Sequence, residues 1–296
     1  MGKYIYLKKF DIKIHYEEYG KGYPIVFVHG LGGSLNNWKD SYESFKSNGY
    51  RAIGIDLPGY GKSQKPLIDY SIEYYAKVLL EFIIELGLGD YPILVGNSMG
   101  GHISSFYAAK YKSRLKALVL VNSSGLNNPN FIEEILLNIA FDKKNLDKLF
   151  KYLINVFPIT LFHNPRHENA RFFSEEQLNY SKSEDYKNYC HALEKSVKAM
   201  IEKPLDDIIS EIDVPTLIIW GMNDKFISSY YGSKFNHNIK NSIFIKISEA
   251  GHMPQLEKPN EFNNSLLNFI NSLELKKSKN FISKILPFFS KKGKHV

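Results

Sequence analysis

The chain has 296 residues, 44% of them hydrophobic, and a formal net charge of +7. This length and composition suit one large α/β domain with an inserted subdomain, and they exclude a membrane-spanning helix, because no stretch reaches the roughly 18 uninterrupted apolar residues required. The single cysteine, Cys190, excludes an internal disulfide, and since the chain starts without the apolar core of a signal peptide, we expect a cytoplasmic, reducing setting.

Short apolar segments alternate with amphipathic segments along most of the chain. Strands are predicted over residues 4–10, 12–18, 24–28, 51–57, 92–96, 116–122, 215–220 and 243–247, and helices over residues 38–45, 71–86, 99–111 and 260–273. This alternation is typical of a mostly parallel sheet covered by helices on both faces. Between residues 124 and 213 the sequence has helical patterns but no convincing buried strand, which predicts an all-helical insertion.

The net positive charge comes from the C-terminal segment. Seven lysines and no acidic residue follow Glu274, so the rest of the chain is balanced in charge. Residues 275–296 mix these lysines with phenylalanine, isoleucine and leucine, a composition that suits contact with an anionic membrane surface. A disordered or loosely docked tail is the alternative. The body of the chain has no nucleic-acid-binding motif, and we expect no nucleic-acid partner.

A G-x-S-x-G pattern follows the strand predicted before Gly96. In the segment PILVGNSMGG, Ser98 stands between a strand and a helix, with Gly96 and Gly100 on either side. A sharp strand-to-helix turn exposes a serine Oγ for nucleophilic attack, and it requires small neighbours because the turn is crowded. The pattern predicts Ser98 as a catalytic nucleophile. A glycine-rich turn with an ordinary serine is the alternative.

A second glycine-rich turn, HGLGG, follows the strand predicted over residues 24–28. Acyl transfer passes through a tetrahedral oxyanion, which needs two preorganised hydrogen-bond donors. We expect these to be the backbone N–H groups of Leu31, after the His-Gly pair, and of Met99, after the nucleophile. The spacing of the glycines does not fit the G-x-G-x-x-G turn of dinucleotide-binding proteins.

The last two predicted strands are each followed by a polar residue that can take part in catalysis. Asp224 follows the strand over residues 215–220, and His252 follows the strand over residues 243–247. In a parallel sheet such residues collect at the carboxyl edge, which also carries Ser98. A histidine base needs a buried carboxylate on its second ring nitrogen to hold the correct tautomer. The chain order Ser, Asp, His therefore predicts His252 as the base and Asp224 as the acid.

Five segments in this order, HGLGG, DLPGYGKS, GNSMGG, GMND and GHMPQLEKP, resemble the α/β-hydrolase superfamily, and the similarity extends from residue 4 to about residue 273. The resemblance implies an α/β-hydrolase fold: an eight-stranded, mostly parallel sheet flanked by helices, with a helical cap inserted after the sixth strand. It divides the chain into a core (1–123 and 214–273), a cap (124–213) and a basic tail (274–296). Some members carry the acid after the sixth strand, but that strand ends here at Asn122, which leaves Asp224 as the better acid.

The resemblance favours hydrolysis of carboxylic esters, of the esterase or monoacylglycerol-lipase type. A serine in place of the elbow aspartate excludes the haloalkane dehalogenases and epoxide hydrolases of this fold. Asn97 is similar to carbon–carbon bond hydrolases that cleave ring-fission products, but those enzymes commonly have tryptophan where this chain has Met253. They also use a cap arginine, at a position that we identify as Ser181; Arg166 or Arg171 could replace it.

The resemblance also implies where the substrate binds. We expect contacts with Gly30, Asn97, Trp38 and Met253, which stand in or near the motifs; for Trp38, ordinary packing is the alternative. The triad chemistry requires no metal and no organic cofactor, and the expected partner is a small-molecule ester. Three alternatives to an esterase stay open: a carbon–carbon bond hydrolase, a non-catalytic or slow-turnover small-molecule receptor on the same fold, and acyl transfer or cofactor-free perhydrolysis by the same site.

Overall fold

The computed structural model describes residues 2–89, 91–127, 156 and 158–273. Its strands are β1 (Lys3–Leu7), β2 (Ile12–Tyr19), β3 (Tyr23–Val28), β4 (Tyr50–Ile55), β5 (Ile93–Asn97), β6 (Ala117–Val121), β7 (Thr216–Gly221) and β8 (Ser242–Ile247). They form one sheet in the order β1-β2-β4-β3-β5-β6-β7-β8. The pairs β1–β2 and β2–β4 are antiparallel, and all other pairs are parallel. This confirms the predicted eight-stranded, mostly parallel sheet.

The central strands are short apolar runs that are covered on both faces. Every residue of β5 and β6 is buried, as expected for parallel strands between two layers of helices. Successive side chains of a strand point to opposite faces. In β3, Val26 and Val28 therefore join one hydrophobic core, whereas Ile25 and Phe27 join another on the opposite face. The sheet separates these two cores.

Helices cover both faces of the sheet. They are α1 (Lys39–Ser47), α2 (Ile72–Glu85), α3 (Met99–Lys110), α4 (Glu168–Tyr180), α5 (Tyr186–Glu202), α6 (Ser229–Asn238), α7 (Pro254–Glu257) and α8 (residues 259–273). Leu79 of α2, Ile103 of α3 and Phe235 of α6 lie in the first core. Phe45 of α1 and Phe262 of α8 lie in the second. The molecule thus has three layers, with the sheet in the middle.

Most predicted boundaries agree with the observed ones within two residues, but the first strand is shorter than predicted. It ends at Leu7 because Lys8–Phe10 form a 3-10 helix, after which Asp11 adopts a left-handed conformation with φ 52°. The predicted start of α2 is confirmed: the Ser71 hydroxyl accepts a hydrogen bond from Tyr74 N–H at 3.0 Å and caps the helix.

Between β6 and β7, the residues that the structure describes form α4, α5 and two shorter helical segments (residues 158–161 and Ile209–Glu211), and no strand. The two ends of this insertion lie side by side, since Leu205 N–H donates to Gly125 O at 2.7 Å. The division into core and cap stays a prediction, because residues 128–155 and the tail, 274–296, lie outside the described residues. Within the described ranges, no helix is both long and apolar enough to cross a membrane.

Candidate active site

Three loops at the carboxyl edge of the sheet carry the candidate catalytic residues. Ser98 follows β5, Asp224 follows β7 and His252 follows β8. These strands are parallel, with β6 between β5 and β7, so their carboxyl ends lie at one edge of the sheet. The strand order brings together residues that are far apart in the sequence.

Ser98 occupies a strained turn between β5 and α3. Its backbone angles, φ 52° and ψ −118°, lie outside the regions that L-residues normally adopt. A Cβ on Gly96 would lie 2.3 Å from the Gly100 carbonyl oxygen, and a Cβ on Gly100 would lie 2.2 Å from that of Val28. Close backbone packing therefore requires both glycines. The Ser98 N–H donates to Val121 O at 3.0 Å, which anchors the turn to β6.

Asp224 and His252 form a buried pair. The His252 Nδ1 lies 2.8 Å from the Asp224 Oδ2, and the Asp224 side chain is fully buried. The other carboxylate oxygen accepts the backbone N–H groups of Phe226 at 2.7 Å and Ile227 at 3.0 Å. Because an ionised carboxylate can only accept hydrogen bonds, Nδ1 carries the proton of the neutral imidazole. The Nε2 lone pair is then available to act as a base.

Asn97 joins the end of β5 to the loop that carries His252. Its side-chain amide donates to His252 O at 3.2 Å and to Val121 O at 3.0 Å, and the residue is 2% exposed. This contact sets the histidine loop beside the nucleophile turn. Asn97 is predicted to contact the substrate, whereas its side-chain amide holds two backbone segments together.

Asn122, at the end of β6, was not predicted to belong to the site. Its amide donates to Asp224 Oδ2 at 2.6 Å, and its Oδ1 accepts the Gly221 N–H at 3.1 Å. The residue is fully buried. The sequence offered one indication, since Asn122 ends a strand that the parallel sheet places beside the strand leading to Asp224. Its role is to orient the carboxylate that orients His252.

Residues 30–33, which we call the oxyanion turn, lie against the nucleophile. Gly33 N–H donates to Gly30 O at 3.1 Å, and Gly32 has φ +70°, so the segment is a tight turn with Leu31 at its second position. A Cβ on Gly30 would lie 3.1 Å from Ser98 Cβ. On the other side, Met99 is the first residue of α3, where an N–H has no intrahelical acceptor. Leu31 and Met99 thus remain the candidate oxyanion donors.

His29 supports the oxyanion turn from the core. Its Nε2 accepts the Leu57 N–H at 3.0 Å, so Nδ1 carries the proton and donates to Gly30 O at 2.7 Å. Complete burial lowers the pKa of His29, although Asp56 opposes the shift, so the ring is neutral. The glycines of HGLGG predict the turn, but no local pattern indicates this structural role for the histidine, which depends on its contact with Leu57.

Trp38 lies away from the expected substrate site. It is fully buried in the second core, where its ring centroid lies 5.2 Å from that of Phe27 and 5.9 Å from that of Phe262. This placement corrects the expectation of a substrate contact and supports the packing alternative. Met253, which directly follows His252, packs in a small apolar cluster with Phe162 and other residues at the base of the insertion.

Glu257 links the histidine loop to the insertion. Its Oε1 accepts the Gly251 N–H at 2.7 Å, and its Oε2 accepts the N–H groups of His163 at 2.8 Å and Asn164 at 3.3 Å. The His252 N–H also donates to Leu161 O at 2.7 Å in the same segment. The backbone around the candidate base is therefore held by the insertion.

The sequence and the fold are similar to those of known hydrolases. Residues 23–259 match the family model for the alpha/beta hydrolase fold. The chain is 30% identical over 275 residues to the 2-hydroxy-6-oxononadienedioate/2-hydroxy-6-oxononatrienedioate hydrolase of Burkholderia vietnamiensis, covering 88% of this chain and 91% of that protein. It is 31% identical over 244 residues to Lipase 3 of Moraxella sp., covering 80% of this chain and 73% of that protein. The esterase of Exiguobacterium antarcticum has a similar structure, with a TM-score of 0.79, 26% identity and coverage of 92% and 100%.

Proposed function

Because this chain belongs to the α/β-hydrolase family, we propose that it is a serine hydrolase that cleaves carboxylic esters, of the esterase or monoacylglycerol-lipase type. Ser98 is the nucleophile, His252 the base and Asp224 the acid. The 2.8 Å contact between Asp224 and His252, at the sheet edge that carries the strained Ser98 turn, supports this assignment.

The proposed reaction proceeds through an acyl-enzyme. His252 Nε2 accepts the Ser98 Oγ proton as Oγ attacks the ester carbonyl carbon. The N–H groups of Leu31 and Met99 stabilise the oxyanion of the tetrahedral intermediate. The intermediate collapses as the protonated His252 transfers this proton to the oxygen of the leaving alcohol. Water, deprotonated by the same histidine, then attacks the acyl carbon, and the acid is released as Ser98 regains its proton. Asp224 stabilises the imidazolium at both stages.

We favour esters over ring-fission products because of where the arginines of this chain lie. The ring-fission substrate in the name of the Burkholderia relative is a dioate, and its carboxylates call for a cationic partner, which arginine provides best. All four arginines of this chain lie among the described residues. Arg51, at the start of β4, pairs with Glu18, and Arg114 precedes β6, so both lie at the amino edge of the sheet.

The two arginines of the insertion are exposed. Arg166 is exposed, and Arg171 pairs with Glu175 at 3.3 Å while its side chain is 85% exposed. Ser181, at the position equivalent to the cap arginine of carbon–carbon bond hydrolases, is half-buried at the end of α4 and donates to Leu178 O. The described contacts therefore offer no arginine for a substrate carboxylate beside Ser98, and a neutral ester fits the site better.

Carbon–carbon bond hydrolysis of a ring-fission product is the second candidate function. The 30% identity over 88% of the chain to the Burkholderia hydrolase favours it. Both reactions use an activated serine and an oxyanion site, so the reacting groups alone do not separate them. The substrate determines which reaction takes place.

The test is a substrate panel with the purified protein. It contains p-nitrophenyl esters of increasing acyl length, monoacylglycerols and a 2-hydroxy-6-oxo-dienoate, with Ser98→Ala as the control. We expect kcat/KM for the best ester to exceed that for the dienoate at least about tenfold, which corresponds to about 1.4 kcal/mol, and Ser98→Ala to lose all turnover. A preference for the dienoate would establish the second candidate. Labelling of Ser98 by a fluorophosphonate without turnover of any substrate would indicate a receptor.

We further propose that the protein is cytoplasmic. The chain has one cysteine, Cys190, which is free and buried in α5, so the fold needs no oxidising compartment. Cell fractionation tests this location, and recovery of the protein in an exported fraction would contradict it.

A further inference from the structure

The oxyanion turn is held from two sides. On the core side, His29 Nδ1 donates to the Gly30 carbonyl, which also accepts the Gly33 N–H within the turn. On the other side, the Gly32 carbonyl oxygen accepts the side-chain amide of Gln177 at 2.7 Å and lies 3.2 Å from the Tyr189 hydroxyl. Gln177 is in α4 and Tyr189 is in α5, so both contacts come from the insertion.

Gln177 uses both ends of its amide in this contact. The Tyr189 hydroxyl donates to Gln177 Oε1 at 2.7 Å, so the NH₂ end faces the Gly32 carbonyl, which can only accept. Gln177 is 1% exposed and Tyr189 is fully buried. A buried amide is costly unless its polar groups are hydrogen-bonded, and this arrangement uses both of them.

The turn needs such external support because three of its four residues are glycine. Glycine backbone has unusual conformational freedom, and Leu31 supplies the one side chain by which the turn packs against the core. The donor on Leu31 must nevertheless keep a fixed direction, because oxyanion stabilisation depends on donors that are in place before charge develops. The core contacts hold the first residue of the turn, and the Gln177 contact holds the third.

We propose that Gln177, supported by Tyr189, is a positioning residue for the oxyanion site, so that the insertion contributes to the chemical step. The inference rests on the proposed function, since it assumes that Leu31 N–H serves the oxyanion. Gln177 acts through the backbone of the turn. Loss of its amide lets Gly32 move and turns the Leu31 N–H away from the position of the oxyanion.

A matched control exists on the same helix. Asn169 of α4 is 4% exposed, and its amide donates to Asp40 Oδ2 and to Leu256 O, each at 2.8 Å. These contacts also attach the insertion to the rest of the protein, but neither partner is a residue of the oxyanion turn. Asn169→Leu therefore loosens the attachment of α4 without removing a contact to the turn, whereas Gln177→Met removes the contact and keeps the side-chain length.

The experiment compares the rate at which a fluorophosphonate labels Ser98, together with kcat and KM for a p-nitrophenyl ester, in these variants of the full chain. Labelling requires the activated serine and the oxyanion donors but no particular leaving alcohol. We expect Gln177→Met to lower the labelling rate and kcat about tenfold, less than the 10²–10³-fold effect of removing an oxyanion donor outright, with KM within about threefold. Asn169→Leu should leave the labelling rate within about twofold of the wild type.

Equal labelling rates for Gln177→Met and Asn169→Leu would overturn the inference. If the wild type is not labelled at all, the proposed function itself fails, which is a distinct result. If circular dichroism shows that Gln177→Met does not fold, the labelling rate of Tyr189→Phe is measured in its place. This variant removes only the hydroxyl that orients the amide. A labelling rate lower by about threefold or more supports the inference, since the amide loses the hydroxyl that orients it, and an unchanged rate contradicts it.

Discussion

The amide of Asn122 donates a hydrogen bond of 2.6 Å to Asp224 Oδ2, the same oxygen that faces His252 Nδ1 at 2.8 Å. Asn122 directly follows β6 and Asp224 follows β7, so the contact bridges the loops after two neighbouring strands. With the N–H groups of Phe226 and Ile227 on the other oxygen, the carboxylate has donors on both of its atoms. Burying a carboxylate is costly unless its oxygens accept hydrogen bonds, and here both of them do.

Asn122→Leu tests this arrangement. The change keeps the branched arrangement of side-chain heavy atoms but removes the hydrogen bond to the Asp224 carboxylate, so we expect the free energy of unfolding to fall by about 1.5–3 kcal/mol and kcat for an ester to fall about tenfold. Urea unfolding and steady-state kinetics measure the two effects. Asn238→Ala, at an exposed site in α6, is the control and should change neither. A loss of stability with an unchanged kcat would show that Asn122 only supports the fold.

Asp224→Asn tests the acid of the triad. The substitution is close to isosteric, but an amide that donates to His252 Nδ1 leaves the ring with the wrong tautomer, in which Nε2 carries the proton. We expect kcat to fall roughly 10⁴-fold, as for the equivalent change in a serine protease triad. Burst and steady-state assays with a p-nitrophenyl ester measure the change. A decrease of less than about tenfold would remove Asp224 from the mechanism.

Glu257→Gln tests whether the insertion holds the histidine loop. Three backbone N–H groups share this carboxylate, and an amide can accept on only one of its two ends. We expect a loss of about 1–3 kcal/mol in the free energy of unfolding and a kcat lower by several-fold.

The control for Glu257 is Glu249→Gln. Glu249 pairs with Lys258 at 3.0 Å, but its side chain is 74% exposed, and pairs of this kind contribute little. Thermal melts and ester kinetics compare the two variants. Similar small effects from both would contradict a special role for Glu257.

The lowered pKa of the buried His102 predicts that the stability of the fold depends on pH. Its Nε2 contacts Lys203 O at 2.8 Å, and burial lowers the pKa of His102 to about 4. An unfolded histidine titrates near 6.5, so between pH 6.5 and 4 the unfolded chain binds a proton that the folded state does not. Stability therefore falls as the pH drops through this window, by about 2 kcal/mol between pH 7 and pH 5.

His102→Gln isolates this contribution. A glutamine amide can still donate to the Lys203 carbonyl, but it does not titrate. Urea unfolding at pH 7 and pH 5 should show a loss for the variant that is about 2 kcal/mol smaller than the loss for the wild type. An equal loss in both proteins would mean that the pH dependence comes from other groups, such as His29, whose pKa burial also lowers.

The positive charge of the C-terminal segment predicts that it binds an anionic membrane surface. Residues 275–296 contain seven lysines and no acidic residue. We expect the full chain, but not a chain ending at Glu274, to sediment with anionic vesicles at low salt, because each lysine near an anionic surface contributes about 1 kcal/mol. Vesicles of neutral lipid are the control. Equal binding of both chains would exclude the segment as a membrane contact.

Much of the fold was predictable from local patterns. Strand and helix positions follow from short apolar runs and from caps such as Ser71, because these features depend on residues close in the chain. The strand that ends early at Leu7 shows the limit, since apolarity alone does not distinguish a strand from the 3-10 helix that follows it. The Ser98 turn was also predictable, because only small residues fit around it.

The sequence by itself determined the eight strands, the nucleophile turn and the order in which the candidate triad residues occur. Only the tertiary structure decided how their partners meet. The contacts of Asn122 with Asp224 and of Gln177 with Gly32 join residues separated by 102 and 145 positions. The tertiary structure also placed Trp38 in the core. The physical reason is that a hydrogen bond or a packing contact depends on which strands are neighbours in the sheet and where the insertion folds back, and no local pattern encodes that choice.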